Sequence, residues 1–245
     1  MRDRALTIDE LDGLLRVLER DWGQFAGDPS KRFEVATLGA VLVIGFAAGL
    51  RGEELGLCRL AETFVETGKG LRHNRLPHVL VALEGKFKGV LGRKEHRFPL
   101  VPESSSGVLH IKVWLLRLLR EYSVVHKARR EGPLFRVTPA SRSPATIAEL
   151  NVLFHSSLPE LQEERPNLLD PEIDVQRDFS LKRSLRRGSQ THALNRGIHP
   201  DVIDRNNRWR KHERARNREP TLTMQETYTD VRASLEFGLR YSRDL

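Results

Sequence analysis

The chain has 245 residues, enough for one large or two small domains with a well-buried core. Charged residues make up 30% and hydrophobic ones 39%, a balance that excludes wholesale disorder; the single cysteine, Cys58, excludes a disulfide framework and a cysteine-rich zinc site. Lys and Arg number 41 against 33 Asp and Glu, a net +8 with a pI near 10.0, so the expected partner is a polyanion, nucleic acid ahead of acidic lipid. The longest uncharged stretch, residues 35–50, is shorter than the roughly 20 residues of a membrane helix and too far from Met1 for a signal peptide. A soluble, intracellular protein without a membrane partner is the expectation.

Thr7 followed three residues later by Glu10 forms a capping box, and Ile8, Leu11, Leu14, Leu15 and Leu18 make one apolar stripe, so the first helix starts there. Residues 27–30 break the chain before a second helix over 32–49, which is apolar nearly all round and therefore central to the core. A short helix begins near Arg51, and residues 64–70 bring turn chemistry. Residues 76–88 are strand-like, residues 94–101 are their hairpin partner across 89–92, and residues 59–66 add a third strand.

Helical period returns at Gly107, with Val108, Ile111, Leu115, Leu118 and Leu119 on one face. A Pro- and Ser-bearing stretch at 138–144 precedes a helix over 145–156, and the polar, proline-punctuated residues 159–178 read as a long loop. Helices over 181–195 and 200–208 follow, with Gly197 as a C-cap between them, and a last helix holds Tyr228. Without an internal repeat or a clear linker, residues 1–245 read as a single domain, mainly α with a small antiparallel β-sheet (α+β).

Five places can carry chemistry. Arg51 follows directly on the apolar helix, where its cation needs an anion, either Glu54 or a bound phosphate. Lys86 and Lys88 lie two apart and project from one strand face at a hairpin tip, from which a lysine can deliver a proton. Arg183 and Arg186, flanked by Lys182 and Arg187, are three apart and share one helical face near an N-terminus, where two guanidinium forks can grip one phosphodiester. The run Arg205, Arg208, Trp209, Arg210, Lys211 and Arg214, continued by Arg216 and Arg218, suits a DNA-backbone footprint. Tyr228 stands in polar sequence behind that run; its phenol, with a reference pKa of about 10, attacks phosphorus only when a cationic pocket or a base activates it. Tyr122 and Tyr241 read as packing residues.

Taken in order, residues 46–55, 85–100, 185–193 with 197–198, 202–209 and 226–231 resemble the catalytic domain of the tyrosine recombinase (phage integrase) family. The likeness spans residue 6 to about residue 231; each motif alone is loose, and their order and spacing together are specific. The resemblance implies that Arg51 and Arg186 are the two clamp arginines and Glu54 the acidic residue that follows the first. It implies that Lys88 is the hairpin lysine, with Lys86 and Lys94 as stand-ins, that Trp209 occupies the His/Trp position, and that Tyr228 is the nucleophile. Arg183 departs from the pattern, standing where the family usually has a histidine; an arginine stays protonated, so it binds phosphate but cannot be a general base.

The implied activity is cutting and rejoining of double-stranded DNA through a 3′-phosphotyrosyl link, with no metal, no nucleotide and no other cofactor. A homo-oligomer on DNA, dimer or tetramer, in the bacterial cytoplasm and nucleoid or a eukaryotic nucleus, is the implied setting. The family's N-terminal DNA clamp is expected to be absent from these residues, and the tail 232–245, with Leu235, Phe237 and Leu239, to dock in cis or on a neighbour. Two other readings use the same residues: a DNA-binding or architectural factor that has lost the chemistry, and a type IB topoisomerase-like relaxation of supercoils.

Overall fold

Thr7 starts the first helix as its sequence predicts. Its hydroxyl accepts the Glu10 N–H at 3.1 Å while Glu10 Oε2 accepts the Thr7 N–H at 2.7 Å, opening α1 (Ile8–Gln24). The computed structural model describes residues 4–66, 78–85, 95–97, 100–102, 108–128, 131–199 and 203. Among them the chain is mainly helical with one small antiparallel sheet, the α+β arrangement expected. No helix of the described residues is long and apolar enough to cross a membrane.

The second helix, α2 (Pro29–Ala47), begins earlier than predicted, because the break at 27–30 is itself the start signal. Asp28 accepts the N–H groups of Ser30 and Lys31, and Pro29 occupies the first turn, where a missing N–H costs nothing. From Val35 to Ala47 every residue of α2 is buried, and the helix packs against α1, α4 (Ile111–Arg120), α5 (Ile147–Glu164) and α7 (Ser184–Asn195). Gly39 leaves the space that the indole of Trp114 fills. At the far end Gly49 takes φ +56°, and the Gly49 and Leu50 N–H groups bond back to Phe46 O at 3.1 Å and Gly45 O at 2.9 Å. This Schellman ending turns the chain at once into Arg51 and the one-turn helix α3 (Gly52–Leu55).

The sheet pairs β1 (Cys58–Glu66) with β2 (His78–Gly85), and β2 with β3 (Glu95–Arg97) and β4 (Leu100–Pro102), all antiparallel. Pairs Leu83–Arg97 and Leu80–Leu100 belong to one register, so β3 and β4 together are the predicted hairpin partner of β2. β1 is the third strand expected over 59–66, so the turn expected from residue 64 does not begin there. Its irregular stretch is bridged by Thr63, whose hydroxyl donates to Arg59 O at 2.5 Å and accepts the Ala82 N–H at 3.2 Å.

The largest departure from expectation is α5, which runs through Pro159 to Glu164 although residues 159–178 read as a loop. Packing outweighs the proline: Leu158 and Leu161 are fully buried, and Arg20 of α1 pairs with both Glu160 and Glu164. The helix starts at Ile147 rather than 145, capped by Thr146 in a box with Glu149, and α6 (Val175–Asp178) adds one more turn within the supposed loop. Helix α7 ends as predicted at Gly197, φ +76°, with Ile198 N–H on Ala193 O at 3.0 Å. Ile203, the one described residue of the helix expected over 200–208, is helical and buried.

A candidate anion clamp at the start of the seventh helix

Two segments far apart in sequence meet here. α3 and its N-cap present Glu54 and Arg51, and the N-cap and first turn of α7 present Arg183, Arg186 and Arg187. Glu54 joins them: its Oε2 accepts the backbone N–H of Arg51 at 2.9 Å and lies 3.7 Å from Nη1 of Arg186. Carboxylate and guanidinium are both buried, at 5% and 6% exposure, so the pair sits in a low dielectric where Coulombic attraction is strong. Gly52 closes the junction, its N–H reaching Lys182 O at 3.3 Å. Glycine is required there because a Cβ would stand 2.6 Å from Lys182 Cα.

Arg183 is the N-cap of α7, with φ −138° and ψ −30°, and is exposed together with Lys182, whereas Arg187 is half-buried. The helix therefore starts three residues later than predicted, at Ser184, so Arg183 precedes the helical face that carries Arg186 instead of sharing it. The cause is local bonding of residues 179–184. Ser184 Oγ accepts the Ser180 N–H at 3.0 Å, Asn151 Oδ1 of α5 accepts the Leu181 N–H at 2.9 Å, and Phe179 O meets Nε2 of His155 at 2.9 Å. The chain's N-terminal lead crosses the same place: Leu6 N–H donates to Ser184 O at 3.1 Å, and Gly188 leaves room for the Leu6 carbonyl.

Chemically, this corner places several donors of positive charge beside a helix N-terminus, which favours a bound anion. Tyr122 is excluded from any nucleophilic role. It is fully buried, its hydroxyl donates to Leu134 O at 2.7 Å, and burial holds its phenol far above the ordinary tyrosine range. Among the described residues no cluster of His, Cys, Asp and Glu could hold a metal ion.

Of the predicted site residues, Arg51, Glu54, Lys182, Arg183, Arg186 and Arg187 come together. Lys86, Lys88, Lys94, Arg205, Arg208, Trp209, Arg210, Lys211, Arg214 and Tyr228 lie outside the described residues, as do the tail 232–245 and Tyr241. Sequence reasoning passed over Asn151 and His155. The available signal was an Asn in mid-helix four residues before a His, a weak helix former with two polar handles at one spacing. No protein-family model matches the chain, and no curated protein matches its sequence significantly.

Proposed function

We propose that the chain is a DNA strand transferase of the tyrosine recombinase type, with the catalytic-domain fold of that family. The observation that carries the reading is that one oxygen of Glu54 bonds the Arg51 backbone N–H and lies beside the Arg186 guanidinium, which brings the Arg51 turn to Arg186. The sequence motifs name these three residues independently, and a two-arginine clamp needs them at one place. The net charge of +8 agrees with a polyanionic substrate.

In this reading Tyr228 gives its phenolic proton to solvent water, and Oη attacks a backbone phosphorus, forming the 3′-phosphotyrosyl bond as the bond to the 5′-oxygen breaks. Lys88 gives that oxygen its proton, leaving a free 5′-hydroxyl. Arg51, Arg186 and Arg183 hold the non-bridging oxygens and offset the charge that builds on the pentavalent phosphorus, the effect that usually dominates such catalysis. Trp209 packs beside the phosphate and donates through its indole N–H. The reverse attack by a 5′-hydroxyl rejoins the strand, and protomers pair on DNA to exchange partners.

The test is a nicked suicide duplex drawn from DNA flanking the coding gene, incubated with the protein and resolved under denaturing conditions. A covalent adduct that disappears in Tyr228→Phe is expected. An equal adduct in Tyr228→Phe removes the nucleophile from the reading. Arg183 at the histidine position favours a second reading, a DNA-binding factor without chemistry, which gives tight, salt-sensitive binding and no adduct. Plasmid relaxation without recombinants distinguishes the topoisomerase-like variant.

A further inference from the structure

Ile147, Asn151 and His155 recur every four residues on α5 and so form one stripe along it. Each member meets the segment that leads into the two arginine-bearing turns. Ile147 lies against Gly52, where an added Cβ would stand 2.7 Å from Ile147 Cδ1. Asn151 uses both ends of its amide: Oδ1 accepts the Leu181 N–H at 2.9 Å and Nδ2 donates to Ser180 Oγ at 3.4 Å. That same Ser180 oxygen accepts the Lys182 N–H at 3.2 Å. His155 donates to Phe179 O at 2.9 Å; a carbonyl oxygen carries no proton, so the imidazole bears its proton on Nε2.

Backbone groups of residues 179, 181 and 182 are thus fixed, directly or through Ser180, by two side chains of one helix. These residues are costly in α5 on local grounds. Asn and His are both weaker helix formers than Ala, Leu or Glu. Local sequence rules are broken where α5 touches the turn, which is where functional constraint is expected to show.

We infer that Asn151 and His155 are positioning residues for the anion clamp. They fix the path of residues 179–183, and through it the direction in which Arg183 leaves the chain and the height at which Arg186 meets Glu54. A clamp of this kind works only when its guanidinium groups stand ready before the phosphate arrives. The inference rests on reading Arg183 and Arg186 as phosphate ligands, and it adds the residues that aim them.

The salt dependence of binding to a short random-sequence duplex separates aiming from folding, because its slope counts the phosphates neutralised and is insensitive to the fraction of folded protein. Arg186→Ala sets the scale, with a slope shallower by about 1. Asn151→Ala and His155→Ala are expected to lower the slope by a similar amount while remaining folded by circular dichroism. Adding Arg186→Ala to Asn151→Ala is expected to lower it little further. His155→Gln, whose amide keeps a donor near the Nε2 position, restores the wild-type slope. If Asn151→Ala does not fold, His155→Ala against His155→Gln decides alone. Wild-type slopes in folded Asn151→Ala or His155→Ala overturn the inference while leaving the clamp intact. An Arg186→Ala slope equal to wild type overturns the clamp reading itself, and the inference with it.

Discussion

Glu54 Oε2 lies 3.7 Å from Nη1 of Arg186 and bonds the backbone N–H of Arg51 with the same atom, so one buried carboxylate ties α3 to α7. Removing one partner of such a pair leaves a charge in low dielectric, at a cost of about 3–5 kcal/mol. Glu54→Ala is therefore expected to lower the melting temperature and to weaken DNA binding. Glu54→Gln keeps an acceptor for Arg51 while losing the charge, and should fall between the two. Equal melting temperatures for wild type and Glu54→Ala would show that the pair has no structural weight.

Two glycines give opposite signs for the same substitution. In a helix interior Gly→Ala gains about 1 kcal/mol in propensity. At Gly23, near the end of α1, an added Cβ meets nothing within 4 Å, so Gly23→Ala should stabilise by up to that amount. At Gly188 the Cβ would overlap the backbone carbonyl of Leu6 and approach the Phe46 ring. The Leu6 carbonyl cannot yield without moving the α1 lead-in, and overpacking of about 1–3 kcal/mol outweighs the propensity gain. Thermal melts of both variants check the contrast; a stabilised Gly188→Ala would mean that the lead-in does not lie over α7.

The elements that sequence made legible are those whose signals are local. Thr7–Glu10 and the Gly197 ending depend on a few neighbouring residues, and the all-apolar α2 announces its burial by composition. What stayed hidden depends on partners distant in the chain. Pro159 reads as a breaker until Arg20 and the buried Leu158 and Leu161 are placed around it. Glu54 reads as the partner of Arg51, and its contact with the Arg186 guanidinium, far along the chain, is what the sequence does not announce. Arg183 reads as lying inside α7, whereas it caps the helix, because the bonds that hold residues 179 and 181 come from Asn151 and His155 of another helix.

Tyr122 supplies a control for the nucleophile. Tyr122→Phe removes the hydrogen bond to Leu134 O and leaves a buried acceptor, a loss of about 1–3 kcal/mol. The expected outcome is a lower melting temperature with adduct formation per folded molecule unchanged, the reverse of Tyr228→Phe. Loss of adduct in a folded Tyr122→Phe would place the chemistry at the wrong tyrosine.

Glu121 opens a single π turn, Glu121–Val125, after α4, and its carboxylate is fully buried. Both of its oxygens are without a hydrogen-bond donor among the described residues; Arg32 Nε stands 3.8 Å away and His126 Nε2 3.7 Å. Burial raises its pKa, and the opposing charges of Arg32, His126 and Arg120 do not reverse the direction. Because the folded pKa lies above the unfolded one, ionisation costs more in the folded chain. Stability then falls as pH rises from the ordinary glutamate range through the raised value, and the penalty persists at neutral pH. Glu121→Gln removes that penalty. Arg32 retains a partner in the variant, since its guanidinium lies over the Trp22 ring at 4.1 Å. Glu121→Gln is thus expected to melt higher than wild type at neutral pH, with the difference shrinking as pH drops through the raised value and gone below the ordinary glutamate range. Melting curves across that interval check it: a variant that melts lower at neutral pH would mean that the ion pairs with Arg32 and His126 outweigh the cost of burying the charge.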